Sequence, residues 1–131
     1  MYSFFQIKMK VLIIITALIA CTLAEDIVYF TTENDNLDAD EVMKHPDQIK
    51  AFVDCFVDRA PCDSLGLSYK KDMPEAISTA CHRCNNAQKH LWSQFLSGLK
   101  QYYPEHYEDF QQKYDPNKIY LDALEKAVEE Y

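Results

Sequence analysis

Residues 55–84, CFVDRAPCDSLGLSYKKDMPEAISTACHRC, contain four of the five cysteines of the chain, at Cys55, Cys62, Cys81 and Cys84. Their spacing is C-x6-C-x18-C-x2-C, and four cysteines allow three pairings. The separation of Cys81 from Cys84 is short enough for a disulfide within one helical turn. A zinc site and a redox-active C-x2-C pair are the alternatives. Cys21 lies in the N-terminal segment that we expect to be removed on export (below), so the exported chain has an even number of cysteines, which favours structural disulfides.

The N-terminus predicts export. Lys8 and Lys10 precede an apolar run over residues 11–20, and the small residues of 22–24 follow it. A basic flank, a short apolar run and a small-residue exit are the parts of a secretory signal peptide. The run is about half the ~20 residues that a membrane helix needs, which makes an uncleaved anchor the weaker alternative. We expect residues 1–24 to be removed, leaving one secreted, extracellular domain over 25–131.

The charge balance limits the partners of this domain. The chain has 13 Lys and Arg against 21 Asp and Glu, a net charge of −8, and loss of Lys8 and Lys10 with the leader takes it to −10. Such a chain repels phosphate backbones and anionic lipid surfaces, so we expect no nucleic-acid partner and no stable membrane association. The same charge favours a soluble monomer. The two glycines, Gly66 and Gly98, are too few for a phosphate-binding loop.

The apolar residues recur at helical spacing and predict an all-α fold. Ile49, Phe52, Val53 and Phe56, for example, fall on one face of a helix. Helix-breaking prolines and capping residues divide the rest into segments, and no strand pattern is present. We expect about six short helices, over about 37–44, 46–59, 66–80 (with a kink or a fresh start at Met73-Pro74), 82–102, 104–114 and 116 to the C-terminus.

Catalytic patterns are weak. The four histidines are scattered, and His82 and His90 are too far apart on their helix for the H-x3-H spacing of a metal site. Carboxylate clusters such as Glu129-Glu130 are typical of solvated surface. The sequence therefore predicts neither an enzyme nor a metal site or cofactor.

Several segments beyond the cysteines resemble the insect chemosensory proteins, or OS-D-like family, and the likeness extends over the whole chain after the leader. The cysteine spacing is the first element of it. The others are Phe30-Thr31-Thr32, Asp35-Asn36-Leu37-Asp38, Asp58-Arg59-Ala60-Pro61-Cys62, Met73-Pro74-Glu75-Ala76-Ile77, Gln88-Lys89 and Lys113-Tyr114-Asp115-Pro116.

This resemblance implies a compact bundle of about six short helices around an apolar channel. It also implies that neighbouring cysteines pair, Cys55 with Cys62 and Cys81 with Cys84. Its implied function is that of an extracellular carrier of small hydrophobic molecules, such as semiochemicals or fatty-acid-like compounds. The alternative is a secreted interaction protein, linked to development or defence, that has no dedicated small ligand.

Candidate ligand-binding residues combine the apolar stripes with polar groups that can orient one end of a ligand. For each apolar residue, ordinary core packing is the competing interpretation. The single tryptophan, Trp92, is the natural spectroscopic reporter. The predicted binding residues are Asp35, Ile49, Phe52, Val53, Phe56, Gln88, Leu91, Trp92, Phe95, Tyr107, Tyr120 and Leu124.

Overall fold

The computed structural model describes residues 25–32 and 37–131. The predicted leader and Asp35 therefore lie outside the described residues. The described part contains seven helices and no strand, which confirms the all-α prediction, and none of these helices is long and apolar enough to cross a bilayer. The helices are α1 (Ala39–Met43), α2 (Pro46–Phe56), α3 (Ser64–Lys70), α4 (Met73–Ser78), α5 (Asn86–Tyr102), α6 (Pro104–Tyr114) and α7 (Leu121–Val128).

Local sequence explains where most of these helices begin. Proline occupies the first turn of α2, α4 and α6, where its missing N–H costs no hydrogen bond. The carboxylates of Asp38 and Asp63 cap α1 and α3 by accepting backbone N–H groups. The segment predicted over 66–80, with a kink or a fresh start at Met73-Pro74, has the fresh start and forms two helices.

Two predicted helices begin later than expected. The helix predicted from residue 82 starts at Asn86. Ala80 and Cys81 have positive φ angles of 50° and 60° in the turn after α4, and Asn85 is extended and caps the new helix by accepting the Gln88 N–H. The last helix starts at Leu121 and not directly after Pro116. The Asp115 carboxylate accepts the backbone N–H groups of residues 119, 120 and 121 and holds the chain in a turn before the helix.

The disulfides join neighbouring cysteines, as the resemblance implied. The Cα atoms are 4.9 Å apart in Cys55–Cys62 and 5.0 Å apart in Cys81–Cys84. The first bridge fixes the end of α2 against the start of α3. Gly66 allows a close approach there, since a Cβ atom at this position would lie 3.0 Å from the Cys55 sulfur and would press on the bridge. No group of three or more His, Cys, Asp or Glu side chains forms a candidate metal site within the residues described.

Helix α5 is the central element and packs against α1, α2, α6 and α7. Its C-terminal half meets α6 and α7 in a closed core, in which Leu99, Phe110, Leu121 and Leu124 have no solvent exposure. Its N-terminal half lies towards α1, α2 and α4, and a cavity remains between these helices. The fold therefore places a solid core at one end of α5 and the cavity at the other.

Candidate ligand-binding site

The cavity lies between α1, α2, α4 and the first half of α5, and the extended segment 28–32 closes one side of it. The cavity is narrow, with a volume of about 60 Å³. Most of its wall is apolar. The lining residues are Phe30, Thr32, Ala39, Val42, Ile49, Phe52, Phe56, Tyr69, Asp72, Met73, Ala76, Cys84, Gln88, Leu91, Trp92, Gln94 and Phe95.

Aromatic rings form a continuous part of this wall. The ring centroids of Phe52 and Phe56 are 5.8 Å apart, those of Phe56 and Phe95 are 5.5 Å apart, and Trp92 meets Phe95 at 6.2 Å. Phe56 and Phe95 are buried, whereas Phe52 and Trp92 are half-buried. Edge-to-face contacts join Phe56, Phe95 and Trp92 and stabilise this part of the wall.

Residues 28–32, which we call the N-terminal strap, are held against the bundle mainly through Arg83. The Phe30 N–H donates to the Arg83 carbonyl at 2.9 Å, and the Arg83 Nε donates to the Val28 carbonyl at 2.6 Å. The guanidinium also lies 4.7 Å from the centre of the Phe30 ring and pairs with Glu75 at 3.0 Å. These contacts keep the Phe30 ring buried in the cavity wall.

Gln88 connects the start of α5 to the strap. Its backbone N–H donates to the Asn85 side chain at 2.9 Å, and its own Oε1 accepts the Asn85 N–H at 3.0 Å, which completes a capping box. Its Nε2 donates to the Phe30 carbonyl at 3.1 Å and faces the Thr32 hydroxyl at 3.5 Å. Gln88 lines the cavity, but its amide group is already engaged in holding the wall together.

Asp72 is the one charged side chain that lines the cavity within the part of the chain that the structure describes. Burial raises the pKa of this carboxyl, and the nearby Glu75 acts in the same direction. The charges of Lys71 and Arg83 oppose that rise without cancelling it. The cavity therefore has a partly buried acidic group in a wall that is otherwise apolar or neutral.

Seven predicted binding residues come together at this cavity, on α2 and the first half of α5. Of the others whose positions are described, Val53 and Leu124 are fully buried and belong to the core without lining the cavity. Helical spacing placed each of them on the apolar face of its own helix, and in the structure each packs against other side chains of the core. The seven lining residues are Ile49, Phe52, Phe56, Gln88, Leu91, Trp92 and Phe95.

The two predicted tyrosine anchors lie elsewhere. The Tyr107 hydroxyl donates to Glu125 at 2.7 Å, and its ring lies under the Lys100 ammonium at 4.9 Å. Burial raises the pKa of Tyr107, and the bond to Glu125 reinforces the rise. Tyr120 is 40% exposed at the turn before α7. Neither side chain lines the cavity.

Sequence reasoning missed several wall residues. Phe30 lies outside any helix, and Asp72 lies between two short helices, so neither belongs to a periodic pattern. Met73 and Ala76 are spaced by three residues on α4, which is a weak signal in a helix of six residues. Tyr69 is also in the wall, at the end of α3. Only the packing of the strap and of α3 and α4 brings these side chains to the cavity.

The comparison with known families agrees with this architecture. Residues 30–122 match the model of the insect pheromone-binding family A10/OS-D. The chain belongs to this family. The matched range includes both disulfides and every residue that lines the cavity. The family's description is that of binding proteins, not enzymes.

Two relatives of this OS-D chain extend over almost its full length. Ejaculatory bulb-specific protein 3 of Drosophila melanogaster is 30% identical over 93% of this chain and 94% of its own length. Allergen Tha p 1 of Thaumetopoea pityocampa is 27% identical over 92% of this chain and 96% of its own. The whole described domain is therefore shared.

A solved structure of a chemosensory protein in complex with bromo-dodecanol has the same fold as this OS-D chain. Its TM-score is 0.65 at 25% identity, and the match covers 74% of this chain and 97% of that one. The helical bundle is therefore a known fold for chemosensory proteins.

Proposed function

We propose that this protein is a secreted, extracellular carrier that holds small hydrophobic molecules in the cavity between α1, α2, α4 and α5. The observation that carries the proposal is the cavity itself, whose wall is mostly apolar and rich in aromatic rings. Concave sites with apolar walls and a few polar groups are typical of small-molecule binding. The solved relative with bromo-dodecanol, a long alcohol, supports the same class of ligand.

The narrowness of the cavity indicates how a ligand is accommodated. One water needs roughly 10–15 Å³ of such space, so about 60 Å³ suits a few waters but not a long alkyl chain. A chain ligand must therefore move wall side chains, and the half-buried Phe52, Leu91 and Trp92 are among those with access to solvent into which to move. Each buried methylene contributes about 0.8 kcal/mol, which offsets the cost of moving them.

Two features of the chain support secretion: its N-terminal segment and its disulfides. The basic flank and apolar run before residue 25 have the form of a signal peptide. Both cysteine pairs are oxidised, and disulfides persist mainly in oxidising compartments outside the cytosol. We infer that the protein works in extracellular fluid as a soluble monomer.

The test is displacement of an apolar fluorescent probe, N-phenyl-1-naphthylamine, by straight-chain alcohols of about 8 to 16 carbons. The purified protein with both disulfides formed should bind the probe saturably and release it with an optimum chain length. Tyr102→Ala is the control, because Tyr102 is exposed and lies outside the cavity. If a folded, oxidised protein takes up no probe, the carrier proposal fails and a protein partner becomes the better explanation.

A further inference from the structure

We propose that the cavity selects hydrophobic ligands whose polar end donates a hydrogen bond or carries positive charge, with Asp72 as the acceptor. Long-chain alcohols and amines should bind better than long-chain carboxylates of the same length. This inference rests on the proposed carrier function and specifies the class of ligand.

The first support is the charge of the wall. Asp72 lines the cavity, and no Lys, Arg or His does so among the residues described. A carboxylate that enters an apolar site needs a compensating positive charge, and this wall offers a negative one instead.

The second support is that the Asp72 carboxylate is available. Asp72 is the residue before α4, but its side chain does not cap that helix. Its backbone is engaged, because its N–H donates to the Tyr69 carbonyl at 3.2 Å and its carbonyl accepts the Ala76 N–H at 2.9 Å. Its carboxylate oxygens accept no hydrogen bond from any described residue, although the side chain is partly buried. A hydroxyl or ammonium donor on a ligand would complete this group.

The third support is that the nearest cations are occupied elsewhere. Lys71 reaches the Thr31 carbonyl at 3.4 Å, and Arg83 bonds to the Val28 carbonyl and to Glu75. Both hold the strap in place, and neither lines the cavity. Using either one to bind a carboxylate would require it to leave these contacts.

The remaining polar groups of the wall are neutral. They belong to Thr32, Tyr69, Gln88 and Gln94. Gln88 uses its amide to hold the strap and the start of α5. Neutral donors can orient an alcohol, but they do not balance the charge of a carboxylate. The polar part of the site therefore favours a donor at the end of the ligand.

The experiment compares three ligands of equal chain length, decylamine, 1-decanol and decanoate, in probe displacement near neutral pH. We expect the amine and the alcohol to bind about threefold to tenfold more tightly than the carboxylate, the range for one partly exposed charge contact. If all three fail to displace the probe, the carrier proposal itself fails. If decanoate binds as well as the other two or better, the carrier stands and the selectivity inference is overturned.

A variant assigns the selectivity to Asp72. Asp72→Asn keeps the shape of the side chain and removes its charge, so the preference for decylamine over decanoate should fall about threefold to tenfold. Glu130→Gln is the control, because Glu130 is exposed near the C-terminus and its substitution removes the same charge from the chain. Equal effects of the two substitutions would show that the overall negative charge, not Asp72, sets the preference, and would overturn the inference. Thermal unfolding of each variant shows whether it is folded.

Discussion

The two ends of helix α5 differ in what their apolar faces meet. Towards the C-terminus, Leu99 packs with Phe110 and Leu124, and none of the three has any solvent exposure. Towards the N-terminus, Leu91 and Trp92 follow the same helical spacing but are half-buried beside a cavity. The chemistry of the two stripes is nearly the same. What differs is how completely the neighbouring helices fill the space. The cavity lies where the short helices α1 and α4 face α5, although Phe110 of α6 also reaches the rings of Trp92 and Phe95 at 6.3 and 5.6 Å.

This difference shows what helical spacing specifies. A stripe of apolar residues identifies the face of a helix that leaves water, but not whether that face meets a side chain or an open volume. Both ends contain aromatic and aliphatic side chains, and only one of them leaves a cavity. Substitutions at the two ends should therefore separate stability from ligand binding.

The largest expected effect is on stability, at the solid end. Leu124→Ala should lower the free energy of unfolding by about 3 kcal/mol, within the range of about 2–5 kcal/mol for fully buried leucines, because it leaves a void between α5 and α7. Urea unfolding at equilibrium measures it. In buffer without urea, at a temperature where the variant is folded, its affinity for 1-decanol should equal that of the parent protein. A large loss of affinity there would place Leu124 in the binding site and contradict the division of the two ends.

The next effect is on binding, at the open end. Phe52→Ala removes a half-buried ring from the cavity wall and should cost about 1 kcal/mol of stability or less, well below the cost at Leu124. The space left by the ring should move the optimum alcohol length in probe displacement to longer chains. Tyr102→Ala, which removes an exposed ring outside the cavity, should leave the optimum unchanged. An unchanged optimum in Phe52→Ala would mean that the ligand does not contact this wall.

The smallest effect concerns Asp58, which ties α3 and α6 to the end of α2. Hydrogen bonds from Lys113 and Lys70 lower the pKa of Asp58 from 3.8 to about 2. Because the folded pKa lies below the unfolded one, these contacts stabilise the fold fully above about pH 4 and are lost as the pH falls towards 2. Asp58→Asn, which tolerates the same φ of 64°, should lower the melting temperature slightly at neutral pH.

The pH dependence gives the check on this prediction. Between about pH 4 and pH 2 the melting temperature of Asp58→Asn should change less than that of the parent protein. Glu130→Gln serves as the control for loss of one exposed carboxylate. If the parent and Asp58→Asn lose stability in parallel over this range, Asp58 is not one of the groups responsible. Asp72, whose pKa is raised at the open end, should not contribute to stability in this way.

The sequence predicted the helices better than it predicted the site. Proline, capping residues and apolar spacing located the helices, and the family resemblance identified the disulfide pairs. The predicted start of α7 was wrong, because the true start depends on one buried carboxylate, Asp115, that accepts three backbone N–H groups. Burial by itself would raise the pKa of Asp115, but these three donors hold it below its usual value.

The site was predicted where one long stripe forms the wall and missed where separate segments meet. Ile49, Phe52 and Phe95 lie on helices whose buried face is clear from spacing. Phe30 and Asp72 reach the wall only because Arg83 and Gln88 hold the strap and because α4 packs beside it. Tertiary contacts of this kind leave no periodic signal in the sequence.

The position of a bound ligand tests the division of the molecule most directly. Crystals of the protein grown with a bromine-tagged dodecanol would locate the bromine by its anomalous scattering. We predict alkyl density between α2 and α5, in contact with Phe52 and Trp92, and an unchanged core around Leu124. Density confined to the protein surface outside this cavity, or an alkyl chain inserted between α5 and α7, would contradict the account.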